Sequence, residues 1–242
     1  MTSTAVRVRA ALAWFRTRGR ATNRAGMARY GIVTTKVFGV PMGDVQRMGK
    51  QLGRDHALAI ALWTSGWYEA RMLAAYVADP AKVTPALMDR WAKDFDNWAT
   101  CDTLCFVLFE RSPHAWTRIR AWSRRREEFV KRAAFALLAG VALHDKTAPD
   151  TAFLRSLPLI ERAARDDRNY VKKGVSWALR SIGHRSRPLH AAAMVSARRL
   201  AESTDRPSRW VGHDVLRDLT RPLVEKKLAA REARLARATS SR

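Results

Sequence analysis

Apolar residues recur at intervals of three and four along almost the whole chain, and Gly and Pro fall mostly between the periodic segments. This spacing is typical of amphipathic helices. It predicts helices over 5–18, 22–30, 42–52, 56–65, 67–78, 85–108 with a break, 126–143, 151–165, 167–183, 187–202, 206–219 and 221–237. The β-branched cluster at 32–37 is short and isolated, so we expect an extended connector there. The predicted fold class is all-α.

Helix starts and stops carry the residues that end-capping requires. Asp55, Thr84 and Asp150 each precede a periodic segment and are predicted N-caps, because a short polar side chain can accept a hydrogen bond from the first turn. The predicted stop signals are three glycines, Gly53, Gly66 and Gly183. The connectors that remain are short and contain Pro, Asp or Ser.

Helix pairs recur about every 35–45 residues, the spacing of HEAT-like helical repeats. We therefore predict a curved helical repeat solenoid whose basic concave face would suit a duplex. A compact all-α bundle is the competing architecture.

The charge balance narrows the class of partner. Among 242 residues, 45 Lys and Arg oppose 22 Asp and Glu, which gives a net charge of +23. With 47% apolar residues the chain is no disordered basic tail. Nucleic acid or an anionic membrane surface is the natural partner, although arginine-rich usage can also reflect nucleotide composition. No run of 18 apolar residues exists, so no transmembrane helix is expected.

The first 43 residues contain eight basic residues and no acid. We predict a basic helix over 5–18 that clamps a phosphate backbone, and an organellar transit peptide is the alternative. Cys101 and Cys105 lie one helical turn apart and lack a C-x-x-C spacing, so we expect reduced, half-buried core thiols in a cytoplasmic protein and no metal. The absence of a glycine-rich phosphate loop and of a His-x-x-x-His pair leaves no cofactor to predict.

Trp98 and Asp102 stand four residues apart, which places an aromatic face and a carboxylate on one side of a helix. A carboxylate that faces a polyanion is electrostatically unfavourable unless it has a function. The plainer interpretation is a surface acid paired with a neighbouring arginine.

Six short strings occur in order along the chain: Phe38-Gly-Val-Pro41, Ala61-Leu-Trp63, Tyr68-Glu-Ala-Arg71, Asp96-Asn-Trp98-Ala-Thr-Cys-Asp102, Phe129-Val-Lys-Arg132-Ala-Ala and Val171-Lys-Lys-Gly-Val-Ser-Trp177-Ala-Leu-Arg180. Together they resemble the bacterial DNA alkylation repair glycosylases of the AlkD type, which are HEAT-like repeat proteins. The similarity implies a HEAT-like domain over 26–220, between a basic N-terminal helical segment (1–25) and a basic C-terminal helix or tail (221–242).

The resemblance implies excision of N3- and N7-alkylated purines from double-stranded DNA, without full extrusion of the base. It assigns Asp102, after Trp98, as the catalytic aspartate, Arg132 as a phosphate ligand, and Trp177 as a second tryptophan across the sugar. The implied protein is a base-excision repair enzyme, which we expect to be a monomer in the bacterial cytoplasm, at the nucleoid and not at a membrane.

Trp177 shares a helix face with Lys173 and Arg180, a basic–aromatic stripe that would make a poor core and a good backbone-binding surface. The predicted phosphate contacts are Lys131, Lys172, Lys173 and Arg180. Arg132 could instead lie on a solvated face. Core packing is the expected fate of most other tryptophans, including Trp14, Trp63, Trp116 and Trp122.

Two other functions stay open. One is a non-catalytic binder of bent, branched or damaged DNA, and the other is a helical-repeat scaffold for an acidic protein partner.

Overall fold

The structure, a computed structural model, describes residues 3–240. Helices and short 3₁₀ turns make up the ordered elements, and no β-strand occurs within this range, which confirms the all-α prediction. Two compact units divide the chain between Arg118 and Ile119. The helix α8 (Ala115–Trp122) spans this division.

The first unit contains helices that begin near the predicted positions. They are α1 (Thr4–Arg18), α2 (Ala21–Arg29), α3 (Met42–Leu52), α4 (His56–Thr64), α5 (Tyr68–Val77), α6 (Pro85–Lys93) and α7 (Trp98–Val107). Helix α5 packs against α4, and also against α3 and α7, its next-but-one neighbours along the chain. Contacts between alternate helices are expected where helical hairpins stack.

Helix α1 is an integral part of the first unit. Its Ala11 and Phe15 are buried, and the helix packs against α4 and α5. Arg7 on the same helix pairs with Asp55, the N-cap of α4. The predicted division between residues 25 and 26 falls inside α2.

A connector over 30–41 joins α2 to α3 without regular structure, as the β-branched cluster predicted. Its backbone is held by Glu69, a fully buried carboxylate that accepts hydrogen bonds from the amides of Phe38, Gly39 and Val40 at 2.7–3.1 Å. Gly39 has a φ of +81°, and a Cβ there would lie 2.5 Å from the Arg20 carbonyl oxygen. Only glycine fits this position without strain.

The second unit contains α9 (Glu128–His144), α10 (Asp150–Leu154), α11 (Leu157–Ala163), α12 (Asn169–Gly183), α13 (Arg187–Ala201), α14 (Arg206–Leu219) and α15 (Pro222–Ser240). Helix α12 is central to it, because it packs against α9, α11, α13 and α14. The largest fully buried side chains of the second unit include Phe135 on α9 and Phe153 on α10. Burial of such side chains stabilises the unit by about 1.5–3 kcal/mol each.

Buried Arg185 ties the loop after α9 to the end of α12. Its guanidinium donates hydrogen bonds to the carbonyls of Ala142, Asp145 and Ala148 and lies 4.4 Å from the ring centroid of Phe153. These contacts satisfy carbonyls at the end of α9 and in the loop that follows it, which have no partner within the helix.

Two of the three predicted N-caps are confirmed. Asp55 accepts from the amide of Leu58, and Thr84 accepts from the amide of Leu87. The third is wrong, because Pro149 occupies the N-cap position and the Asp150 carboxylate instead accepts a hydrogen bond from Ser186. The predicted glycine stops agree with the structure at Gly53, Gly66 and Gly183, which lie at or next to helix ends.

Two element predictions also need correction. The helix expected over 151–165 is interrupted after Leu154, and Pro158 lies in the first turn of the second piece, where its missing amide costs nothing. Helix α8 was not predicted, because Pro113 and the short polar segment before it indicate a connector.

Candidate nucleic-acid interface

Helix α7 begins at Trp98, and its start is fixed by Asn97. The buried Asn97 side chain accepts from the amide of Thr100 at 2.9 Å and donates to the carboxylate of Asp96 at 2.6 Å. This cap satisfies one of the open amides of the first turn.

Trp98 is anchored to the connector that precedes α3. Its indole Nε1–H donates to the carbonyl oxygen of Tyr30 at 2.7 Å, and its ring is half-buried. Asp102 lies one turn further along α7 and is also half-buried. The structure therefore places both on a partly open face of the same helix, as their spacing predicts.

The neighbouring face of α7 belongs to the core. Cys101 and Cys105 are fully buried thiols there, together with Thr100 and Leu104. The expectation of half-buried cysteines is corrected, since neither thiol is exposed. Helix α7 packs against α5 in the same unit.

In the second unit, α9, α12 and α14 surround an open pocket of about 370 Å³. It is lined by Arg132, Lys173, Trp177, Arg180, Trp210 and Asp214. Lys173, Trp177 and Arg180 thus line one pocket, which confirms that they share a face of α12.

Arg132 forms the α9 wall of this pocket and is 7% exposed, so the alternative of a solvated face is wrong. Its Nη1–H donates to the carbonyl oxygen of Tyr170 at 2.8 Å. A planar guanidinium held in this way has a fixed orientation, which suits it to bidentate contact with a phosphate.

Asp214 supplies the negative charge of the pocket. Its carboxylate accepts a hydrogen bond from the buried hydroxyl of Ser176 at 2.6 Å, and one of its oxygens lies 3.9 Å from Nε of Arg180. Three cations (Arg132, Lys173 and Arg180) therefore oppose one carboxylate in a lining that also contains two indoles. Such a surface attracts an anionic ligand with an aromatic part.

Lys131 is engaged by protein groups. Its ammonium lies 2.8 Å from Asp166, which also accepts hydrogen bonds from Arg168. Burial raises the pKa of Asp166, but the hydrogen bonds from Arg168 and Lys131 outweigh this effect and hold the pKa below its usual range. The DNA contact predicted for Lys131 stays a prediction.

Lys172 precedes Lys173 on α12, and its Nζ lies 4.8 Å from the ring centroid of Trp210. Trp210 and Asp214 were not singled out from the sequence. Their signal is the same Trp-x-x-x-Asp spacing that marks Trp98 and Asp102.

The prediction of core tryptophans holds in two of four cases. Trp63 and Trp122 are buried, whereas Trp14 and Trp116 are half-buried. Over the residues that the structure describes, no helix is long and apolar enough to cross a membrane.

A family model described as "DNA alkylation repair enzyme" matches residues 11–218. The chain therefore belongs to the DNA alkylation repair enzyme family, as its ordered strings predicted. No curated protein sequence matches it.

The solved structures that match include one of similar fold. It is described as "A new family of proteins related to the HEAT-like repeat DNA glycosylases with affinity for branched DNA structures". The match has a TM-score of 0.72 and covers 87% of this chain and 94% of that one, at 17% sequence identity. This likeness confirms the HEAT-like repeat fold. The predicted curvature and basic concave face stay predictions.

Proposed function

We propose that the protein is a monofunctional alkylpurine DNA glycosylase, which hydrolyses the N-glycosidic bond of cationic N3- and N7-alkylated purines in duplex DNA. The observation that carries the proposal is the Trp98–Asp102 pair on a partly open face of α7 in a member of a DNA repair enzyme family. A buried pair would have indicated a structural role.

The proposed chemistry needs a carboxylate and no general acid for the base. An N3- or N7-alkylated purine is already cationic, so the bond between C1′ and the base nitrogen can break with its electron pair leaving on the base. Positive charge then develops on the deoxyribose, where the Asp102 carboxylate stabilises it. Water adds to C1′ and loses its proton to Asp102 or to solvent.

The pocket of the second unit supplies the proposed DNA contacts. Arg132 holds a backbone phosphate, Trp177 packs its ring on deoxyribose, and Lys173 and Arg180 add phosphate contacts. The buried, oriented guanidinium of Arg132 and the predominance of cations in the lining support these roles.

Release of free base from duplex DNA that contains N7-methylguanine tests the proposal. We expect wild-type protein to release the base and Asp102→Asn to release it about 100- to 1000-fold more slowly, because a single electrostatic group is removed from the transition state. Asp44→Asn is the matched control, since it removes a carboxylate that pairs with Arg47 on α3. Absence of release by the wild type, or an undiminished rate in Asp102→Asn, would contradict the proposal.

A non-catalytic binder of branched DNA is the second candidate. The similar solved structure favours it, since that protein is described as having affinity for branched DNA. Preferential binding of a branched duplex by wild-type protein that releases no base would select this function.

A further inference from the structure

Trp210 is an aromatic residue that the proposed base-release chemistry does not use. It lies on α14 and is 36% exposed, which is unusual for a large ring in a well-packed unit. Its indole borders the pocket that contains Trp177 and also a second pocket of about 520 Å³. That second pocket is lined by Arg165, Asp167, Lys172, Asp205, Arg206, Pro207 and Trp210.

The second pocket has the charge of a phosphate site. It contains three cations (Arg165, Lys172 and Arg206) and two carboxylates. Asp205 is engaged as the N-cap of α14, where it accepts from the amide of Ser208 at 2.9 Å. Hydrogen bonds from Ser208, together with Arg165 and Arg209 nearby, lower the pKa of Asp205. The net charge that remains for a ligand is positive.

An indole can stack on the base of a nucleotide only if that base lies outside the helical stack. In a duplex both faces of each base are covered by its neighbours, so a protein ring can stack only on a base outside the helical stack. Phosphate contacts alone would not need an exposed tryptophan. The combination of an open ring and a basic pocket therefore fits single-stranded DNA better than paired DNA.

We propose that Trp210 and the pocket beside it bind an unpaired nucleotide from a single-stranded arm that adjoins the bound duplex. The base stacks on the indole of Trp210, and its phosphate lies between Arg165 and Arg206. The ammonium of Lys172 lies over the ring of Trp210 in the structure, on a flexible side chain. When the base stacks on the ring, this ammonium moves to the phosphate. This inference rests on the proposed DNA binding but not on base release.

The test compares the affinity for a fully paired duplex with that for the same duplex carrying a short single-stranded flap, by fluorescence anisotropy. Wild-type protein should prefer the flapped DNA. In Trp210→Ala the ratio of flap to duplex affinity should fall by about 5- to 100-fold, the effect of one lost base–aromatic stack. Trp210→Phe should keep most of the preference, since it retains an aromatic face.

Val195→Ala is the matched control, because it truncates another exposed apolar side chain of the same unit, on α13, and should leave the ratio unchanged. A 2-aminopurine in the flap should be quenched on binding by the wild type, Trp210→Phe and Val195→Ala, and not by Trp210→Ala.

Lack of flap preference in the wild type would overturn the proposal, as would an equal loss of flap and duplex affinity in Trp210→Ala. A protein that binds flaps through Trp210 but releases no alkylated base would refute only the glycosylase function. Base release without flap preference would refute only this site.

Discussion

Trp98 joins the candidate site to a distant backbone atom. Its hydrogen bond to the Tyr30 carbonyl spans 68 residues of sequence and fixes the angle of an aromatic ring that is otherwise half-open to solvent. In the proposed glycosylase, a ring held at both its Cβ and its nitrogen would be preorganised to stack on the sugar.

Trp98→Phe keeps an aromatic face and removes this hydrogen bond. We expect the free energy of unfolding, measured by denaturant titration, to fall by about 1 kcal/mol, and base release to slow because the ring is no longer fixed.

Trp63→Phe is the control for this change. It also removes an indole hydrogen bond, to Asp94 at 2.7 Å, but in the core of the same unit. It should lower stability without slowing base release. Equal slowing by both variants would show that the Tyr30 contact has no specific effect on the site.

At the scale of residues, the sequence predicts which side chains share a helix face better than it predicts which distant groups they contact. The four-residue spacing correctly placed Trp98 with Asp102, but the same spacing occurs at Trp210 and Asp214, where the carboxylate accepts from Ser176 on another helix. Helical geometry determines which side chains share a face. The tertiary contacts of the two pairs, Trp98 with Tyr30 and Asp214 with Ser176, involve residues far away in sequence, and no local pattern encodes them.

Among the elements, α13 and α14 approach each other closely at Gly212. A Cβ built there would lie 2.2 Å from the backbone nitrogen of Ala201 and 2.6 Å from the carbonyl oxygen of Ala197. Backbone atoms cannot move aside as a flexible side chain can. The absence of a side chain at this position therefore allows α14 to carry Trp210 and Asp214 against α12 and α13.

Gly212→Ala should separate the two helices and lower the free energy of unfolding by about 1–3 kcal/mol, because backbone overpacking cannot relax locally. Flap binding through Trp210 should weaken with it. Gly26→Ala in α2 is the control, since a Cβ there meets nothing within 4 Å. That variant should gain about 0.5–1 kcal/mol from helix propensity. If Gly212→Ala unfolds at the same temperature as the wild type, the packing argument is wrong.

Helix limits were predictable where a local cap or glycine determines them and not where distant groups compete. Asp55 and Thr84 bond to their own first turns, as the sequence indicates. Asp150 instead bonds to Ser186 and lies 3.6 Å from Nε of Arg185, so a long-range contact displaces the local one. Helix α8 has only eight residues, too few for a periodic pattern to identify it next to Pro113.

For the whole molecule, the charge of +23 gives general attraction to DNA, and position decides which charges bind it. The repeat spacing predicted the HEAT-like class correctly, because the stacking of helical hairpins follows from local periodicity. The division between Arg118 and Ile119 was not predictable, since α8 runs through it and no linker composition marks it.

The salt dependence of duplex binding distinguishes cations that contact the DNA from cations that only add to the net charge. Lys173→Ala removes a cation from the pocket that contains Arg132 and Trp177, so the slope of log K against log salt should become shallower by about one unit. Lys50→Ala on α3 removes the same charge from an exposed position and should leave the slope unchanged. Equal slopes for both variants would mean that net charge alone drives binding.

The connector over 30–41 is held by hydrogen bonds to its backbone and by the buried side chains of Phe38 and Val40. Glu69 accepts from three amides, Trp98 donates to a carbonyl, and the carbonyl of Lys36 accepts from the amide of Tyr68. Mutational drift in this segment is therefore nearly silent at exposed positions such as Val33, whereas Gly39 and Glu69 cannot be exchanged. An engineer can therefore exchange or label exposed positions such as Val33, provided that Phe38 and Val40 keep their side chains and Gly39 keeps its backbone path.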